Sequence, residues 1–196
     1  MRKREPKNTS LASGEGKADR QFLTYLKDCY AQRDFQHAIH IHSNYKDGHG
    51  GGSSIDVAKE ALQKCLERDY EAILLLLDSD IAKDDCKTLI QKAKQRFPKR
   101  ERGKLPKKSK CIFATPCLEA LLLKICTVST PSSTATCKNA FKKRFGKEAH
   151  KLDDKDFATH FPKELLEERR ACIEELDTLI RYFEIATRKD FSAYFS

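Results

Sequence analysis

Ala72-Ile-Leu-Leu-Leu-Leu-Asp78-Ser-Asp80 is the stretch that decides the fold of this chain of 196 residues. A short, unbroken apolar run is typical of a β-strand buried on both faces, as in a parallel sheet. Two carboxylates follow at positions i and i+2, so a continued strand would project Asp78 and Asp80 to the same side. Because ligands of open α/β sheets bind at the carboxyl ends of the strands, we expect a binding site here. Mutual repulsion of the two acids favours a divalent cation with oxygen ligands.

The segments around this strand alternate between strand and helix patterns. Strand patterns occur at 9–13, 38–43 and 110–114, and helix patterns at 19–30, 53–69, 84–97 and 117–127. Such alternation is typical of a parallel sheet with right-handed crossovers. The sequence therefore predicts the α/β class, with a parallel sheet of about four strands and helices on both faces.

The chain changes character after residue 128. A Ser/Thr-rich loop leads to short helices around Phe141 and Phe145, and the pattern from 162 to 187 predicts one long amphipathic helix. We predict a disordered basic tail (1–8), a catalytic core (9–128) and a helical extension packed on the core (129–196). Core packing is the simplest role for the long helix, and a homodimer interface is the alternative.

The formal net charge of +9 is concentrated in residues 92–110, which we call the basic segment. The segment holds ten Lys or Arg and a single Glu, so it accounts for the whole net charge. A dense basic patch favours an anionic polymer, and nucleic acid is the expected partner. The candidate phosphate-binding residues are Lys99, Arg100, Arg102, Lys104, Lys107, Lys108 and Lys110. The alternative is a solvated, lysine-rich connection.

Other features of the sequence indicate a cytoplasmic protein. None of the eight cysteines forms a C-x-x-C pair, so reduced thiols are expected and a zinc site is not. No run reaches the roughly 18 apolar residues that a membrane helix needs, and the basic N-terminus leads into no secretory h-region. We therefore expect no membrane association.

Two further acids follow predicted strands. Glu15 stands between Gly14 and Gly16, which would let the backbone turn tightly and a ligand approach closely. Glu119 follows the fourth strand and would reach the same edge of the sheet, although a first-turn acid also suits a helix dipole. Glu15, Asp78 and Asp80 are the predicted metal ligands, with Glu119 assisting catalysis.

The histidines are weaker candidates for a binding site. His40 and His42 share one face of the second strand, where a metal pair or two polar surface residues would both be compatible with the pattern. His49 lies in a glycine-rich turn that lacks the lysine and the spacing of a P-loop.

The ordered set of motifs resembles the Toprim domain of topoisomerases, primases and OLD-type nucleases, and within it the RloB-like proteins encoded near bacterial restriction loci. The likeness covers roughly residues 10–126. The motifs are Gly14-Glu15-Gly16-Lys17-Ala18-Asp19 before Phe22, the glycine-rich 48–52, Leu77-Asp78-Ser79-Asp80, and Thr115-Pro116-Cys117-Leu118-Glu119-Ala-Leu-Leu. The chain departs from the pattern at Leu118, where an aromatic is more common, and at Gly14, where glycine is unusual.

This resemblance implies a nuclease that uses Mg²⁺ (or Mn²⁺) bound by the glutamate and the aspartates beside a phosphodiester. It further implies a bacterial antiphage defence effector that cleaves DNA or RNA, with tRNA as one candidate, and a partner such as an ATPase or another defence-system subunit. Two alternatives remain open at this point. One is a non-catalytic nucleic-acid-binding or sensor module, and the other is a phosphatase or nucleotide hydrolase that uses the same carboxylates.

Overall fold

A computed structural model describes residues 9–31, 38–43, 53–68, 70–80, 84–185 and 194–195. The predicted basic tail (1–8) and the glycine-rich turn with His49 lie outside the described residues. The first part of the chain contains β1 (Thr9–Gly14), α1 (Lys17–Tyr30), β2 (Ala38–Ser43), α2 (Ser54–Arg68), β3 (Ala72–Asp78), α3 (Cys86–Gln95), α4 (Lys99–Arg102), β4 (Lys108–Ala114) and α5 (Leu118–Ile125). The second part contains α6 (Thr134–Phe145), a 3₁₀ turn (Ala149–Lys151), α7 (Asp154–His160), α8 (Lys163–Arg170) and α9 (Glu174–Ile185).

The four strands form one parallel sheet in the order β2-β1-β3-β4. This architecture confirms the predicted fold class. β3 lies between two neighbours and is buried on both faces: Leu74 and Leu76 face one hydrophobic cluster, while Leu75 and Leu77 face the other. The unbroken apolar run exists because both faces of this strand need apolar side chains.

Helices cover both faces of the sheet. α1 and α5 pack on the first face, and α2 and α3 pack on the second. The chain steps from β1 to β2 in one direction and then from β2 through β3 to β4 in the other. With crossovers of a single hand, such a reversal places α1 on the face opposite to α2 and α3. The reversal leaves a crevice between the carboxyl ends of β1 and β3, which is where ligands bind in open α/β sheets.

The helices after residue 128 complete the core on the first face. The Phe157 ring stacks against Tyr25, with 5.6 Å between ring centroids, and the Tyr25 hydroxyl donates a hydrogen bond to the Phe161 carbonyl at 2.6 Å. The hydroxyl of the fully buried Tyr182 donates to Ser10 Oγ at 2.9 Å, joining α9 to β1. The helical extension therefore shares the hydrophobic core of the sheet.

The prediction of one long helix from 162 to 187 was wrong, because α8 ends at Arg170 and α9 begins at Glu174. The Arg170 guanidinium bonds to Glu167 of α8 and to Asp177 and Glu184 of α9. These contacts hold the two helices against each other. The helical spacing of apolar residues continues across the break, because both helices bury residues in the same hydrophobic cluster. No Gly or Pro occurs at the break, so nothing in the sequence indicates that the helix ends there. Across the described ranges, no helix has the length and apolarity that crossing a membrane requires.

Candidate functional site

Glu15 and Asp78 meet at the crevice between β1 and β3. Glu15 Oε1 accepts a hydrogen bond from the Asp78 backbone N–H at 2.9 Å, which joins residues 63 positions apart. Glu15 follows β1 directly, and Asp78 is the last residue of β3. The two acids come together because parallel neighbouring strands end at the same edge of the sheet.

The Asp78 carboxylate is aimed at the start of α5. Its Oδ1 accepts a hydrogen bond from the Leu118 backbone N–H at 3.0 Å. Leu118 is the first residue of α5, so the positive end of the helix dipole faces this carboxylate. Glu119 follows at once and brings a further acid to the same place. The fourth strand and its helix therefore supply both a fixed donor and an acidic side chain.

Asp19 is a site residue that the sequence analysis missed. It lies in the first turn of α1 and is only 6% exposed. Its Oδ2 accepts a hydrogen bond from the Gly16 N–H at 2.8 Å, whereas Oδ1 is buried without a hydrogen-bond partner. A buried carboxylate oxygen without a donor is costly, so this environment favours a proton or a cation on Asp19. The sequence did indicate this site residue, since Asp19 is an acid four residues after Glu15 at the start of a predicted helix.

Gly14 makes room for Asp19. A Cβ atom at position 14 would stand 2.2 Å from the Asp19 Cβ, whereas one at position 16 would come no closer than 3.5 Å to the Asp19 carboxylate. Position 14, and not position 16, therefore requires glycine. The reason is the close approach of the Asp19 side chain rather than the approach of a ligand.

Replacing Gly14 with Ala is expected to push Asp19 and the first turn of α1 away from the crevice. Overpacking of this kind costs about 1–3 kcal/mol in the free energy of unfolding, measured by urea denaturation. Gly103→Ala is the matched control, because a Cβ there meets nothing within 4 Å and the backbone φ of −69° suits alanine. Equal stability of the two variants would contradict this account of Gly14.

Burial and mutual repulsion keep protons on the cluster at neutral pH. Burial, followed by the charges of Asp19 and Glu119, raises the pKa of Asp78 to about 8. Burial, followed by the charge of Asp78, raises the pKa of Glu15 to about 8. Burial also raises the pKa of Asp19 to about 7, although the Gly16 N–H favours its ionised form. A bound cation would replace these protons and let the carboxylates ionise.

Asp80 lies at the margin of the site. β3 ends at Asp78, and the next two residues form a turn in which the Ser79 N–H donates to the Ala114 carbonyl at 2.9 Å. The Asp80 side chain is exposed and accepts a hydrogen bond from the Thr134 hydroxyl at the start of α6. The strand period of two, on which the expected projection of Asp80 alongside Asp78 rested, does not continue through the turn, and metal binding by Asp80 stays a prediction. The charge of Asp80 still raises the pKa values of Glu15 and Asp78, as a smaller contribution in each case.

The acids line a cavity of about 330 Å³, which we call the carboxylate cavity. Its walls are formed by Glu15, Gly16, Lys17, Ala18, Asp19, Asp78, Leu118, Glu119, Lys138 and His150. Lys138 belongs to α6 and His150 to the 3₁₀ turn, so the helical extension contributes to the site. Neither residue was predicted, because the sequence offered no means of placing α6 against the crevice.

The basic segment lies at the other end of the sheet. It leads into β4, which starts at Lys108 and reaches the level of Asp78 only at Ala114. A strand of seven residues spans roughly 20 Å. The segment therefore lies away from the carboxylates, because a loop before a parallel strand lies at the amino end of the sheet. None of its seven candidate residues lines the carboxylate cavity.

Among the seven candidate residues of the basic segment, Arg102 and Lys110 make contacts that support the fold. Arg102 donates hydrogen bonds to the carbonyls of Phe97 and Gln95 at 2.9 and 2.7 Å, closing the end of α3. Lys110 lies 4.3 Å from the centre of the Tyr194 ring.

The other five candidate residues of the basic segment lie at the surface. The side chains of Lys99, Arg100, Lys104 and Lys107 are exposed, and Lys108 is half-buried. Nucleic-acid binding by this surface stays a prediction.

His40 and His42 line a separate cavity of about 250 Å³ at the β2 edge, beside Lys64, Glu67 and Arg68. Burial, aided by nearby cations, lowers the pKa of both imidazoles. Neither histidine lines the carboxylate cavity.

The donors of the carboxylate cavity suit a hard cation. Within the described ranges, no three or more His, Cys, Asp or Glu side chains form a complete metal-holding group. Mg²⁺ does not require one, because it keeps several waters and binds through one or two carboxylates. Glu15, Asp78 and the unpaired oxygen of Asp19 offer only oxygen donors. These residues therefore fit Mg²⁺ or Mn²⁺ better than a soft metal.

No protein-family model, no curated protein and no solved structure matches the chain. The likeness to Toprim and RloB-like proteins accordingly stays a prediction, carried by the motifs of the sequence.

Proposed function

We propose that this protein is a metal-dependent endonuclease that hydrolyses phosphodiester bonds of nucleic acid. The observation that carries the proposal is the meeting of Glu15, Asp19 and Asp78 in one cavity at the crevice between β1 and β3. Buried carboxylates with raised pKa values, set beside a lysine, are typical of functional sites. A position at the strand ends where the chain reverses direction supports the same conclusion.

Each residue has a distinct part in this proposal. Glu15 and Asp78 would hold Mg²⁺ or Mn²⁺ together with waters, with Asp19 beside them. Such an ion supplies an activated water and neutralises charge on phosphate oxygens when bound. The Leu118 N–H orients the Asp78 carboxylate, and the Asp78 N–H orients Glu15. Lys138 offers positive charge to a phosphate oxygen, and Glu119 assists from α5. Hydrolysis adds water across one P–O bond and leaves a phosphate monoester and a free hydroxyl.

The biological setting is proposed from the resemblance. A bacterial antiphage effector would act on DNA or RNA, including tRNA, in the cytoplasm, together with an ATPase or another defence-system subunit. A homodimer is compatible with this role. The basic segment would then contact nucleic acid away from the cleaved bond, because it lies at the amino end of the sheet.

Two other functions each have one observation in their favour. A non-catalytic nucleic-acid-binding or sensor module would agree with the absence, in the described ranges, of a complete metal-holding group. A phosphatase or nucleotide hydrolase would agree with a cavity of about 330 Å³, which suits a small phosphate ester.

One assay separates the three functions. Purified protein is incubated with plasmid, single-stranded DNA, total tRNA and p-nitrophenyl phosphate, each with Mg²⁺, Mn²⁺ or EDTA. We expect cleavage of at least one nucleic acid with either metal and none with EDTA. Release of p-nitrophenol without cleavage of nucleic acid would contradict the proposal in favour of a phosphatase. Salt-dependent binding without turnover would contradict it in favour of the binding module.

A further inference from the structure

A further cavity of about 340 Å³ opens between α6 and the 3₁₀ turn, and we call it the basic cavity. It shares three wall residues with the carboxylate cavity, so the two cavities adjoin. The shared residues are Glu119, Lys138 and His150, and the basic cavity adds Asn139, Lys142, Glu148 and Ala149. The helical extension thus builds a continuation of the carboxylate site.

The cations of the basic cavity lie one helical turn apart. Lys138 and Lys142 are four residues apart on α6, so they lie on the same side of the helix. The Asn139 amide adds two hydrogen-bond donors to the wall. The Lys138 ammonium forms no salt bridge within the described ranges, although its charge lowers the pKa of Glu15. Because no described carboxylate lies within salt-bridge distance of it, this ammonium can contact an anionic ligand, while Glu15 and Glu119 supply negative charge nearby.

Glu148 cancels only part of the positive charge, because its single carboxylate faces two lysines. Its carboxylate lies 3.1 Å from Lys142 Nζ and 2.7 Å from Lys151 Nζ. These bonds lower the pKa of Glu148 to about 2, so the group stays ionised and neutralised by its two lysines. Glu148 therefore holds Lys142 in place at the wall of the cavity, while Lys138 stands between the two cavities.

We propose that the basic cavity binds the phosphate adjacent to the cleaved one in a nucleic-acid strand. A ligand with a single phosphate fills only the carboxylate cavity, whereas a strand repeats its phosphates and reaches both. The substrate class is therefore a polynucleotide, and phosphomonoesters and isolated diesters are poor substrates. This inference rests on the proposed function, since it assigns the cleaved phosphate to the carboxylate cavity.

Lys142 is the residue to change, because it lines the basic cavity and not the carboxylate cavity. With a single-stranded oligonucleotide that the protein cleaves, Lys142→Ala is expected to raise KM about tenfold. With bis(p-nitrophenyl) phosphate, which has one phosphodiester, the same variant is expected to keep the wild-type kcat/KM. Binding of the oligonucleotide in EDTA is expected to lose about 0.7 from its slope against log salt.

Two variants separate phosphate binding from a structural role of Lys142. Lys143→Ala, on the same helix and exposed, is expected to change none of these quantities. Glu148→Gln removes the ion pair but keeps the lysine, so it is expected to keep KM or lower it. If Glu148→Gln raises KM as much as Lys142→Ala does, the ion pair is structural and the inference is overturned.

The remaining outcomes distinguish this inference from the proposed function. If the wild-type protein cleaves the oligonucleotide and Lys142→Ala leaves its KM and salt slope unchanged, the basic cavity does not bind phosphate, although the nuclease stands. If the wild-type protein cleaves nothing, the proposed function fails. The salt slope of binding then shows whether Lys142 contacts a strand, and an unchanged slope would overturn the inference as well.

Discussion

Replacing Asp78 with Asn is expected to lower the rate of nucleic-acid cleavage at least about a thousandfold, since loss of a metal site removes several kcal/mol of transition-state stabilisation. Asparagine keeps an oxygen acceptor for the Leu118 N–H, so the start of α5 stays in place. Glu15→Gln keeps the acceptor for the Asp78 N–H in the same way. The changes therefore remove charge and preserve shape. The measurement is kcat with Mg²⁺, and binding of nucleic acid is expected to persist.

Asp80→Asn is the matched control for this prediction. The substitution removes the same charge two residues away, but Asp80 is exposed and does not line the carboxylate cavity. We expect a loss of less than about tenfold, because a charge outside the coordination shell acts only at a distance. Wild-type cleavage by the double variant of Glu15 and Asp78 would refute the assigned site. Equal loss in Asp78→Asn and Asp80→Asn would shift the cation towards the turn after β3.

The metal-free protein is expected to become less stable as pH rises from about 5 to about 8. The folded pKa values of Glu15, Asp19 and Asp78 are raised to about 8, 7 and 8. In this window the folded state holds more protons than the unfolded state, so the free energy of unfolding falls with pH. The stabilisation is complete below the unfolded pKa values near 4 and is lost above pH 8.

We expect a loss on the order of 2–4 kcal/mol in the free energy of unfolding, or roughly 5–10 °C in Tm, over this window. The loss is smaller than three independent shifts would give, because the acids share protons. His40 and His42 act in the opposite direction near pH 6.5, since burial lowers their pKa values. The comparison is therefore made against Asp78→Asn, which keeps both histidines and is expected to flatten the curve.

A divalent cation is expected to reverse the effect of pH. Mg²⁺ or Mn²⁺ competes with the protons of the cluster, so it should raise Tm at pH 8 and much less at pH 5. Thermal unfolding in EDTA and in excess Mg²⁺, at both pH values, measures the difference. The prediction fails if the wild-type protein and Asp78→Asn gain the same stability from Mg²⁺ at pH 8.

Much of the fold was predictable because local patterns report burial. The apolar run from Ala72 to Leu77 indicated a strand with two buried faces, and β3 has both. Alternation of strand and helix patterns predicted the parallel sheet, and parallel strands carry the acids that follow them to one edge. For this reason the meeting of Glu15 with Asp78 could be expected from the sequence.

The position of the basic segment relative to the acids follows from the order of elements in the sequence. It precedes a parallel strand, whereas the acids follow one, and the two ends of such a strand lie on opposite edges of the sheet. Composition suggested a partner for these cations but carried no information on distance. Lys138, one of three lysines in α6, lines the carboxylate cavity, and no distinctive pattern in the sequence singles it out.

The sequence by itself determined the class of fold, the order of its elements and the edge at which Glu15 and Asp78 meet, because hydrophobic period and strand direction are local properties. Only the tertiary structure decided that Asp19 is buried in the site, that Asp80 turns towards α6, and that Lys138 and His150 complete the wall. Those outcomes depend on how helices distant in sequence pack on the sheet. Such packing depends on the shapes of many side chains together. It therefore produces no pattern that can be recognised in one segment of the sequence.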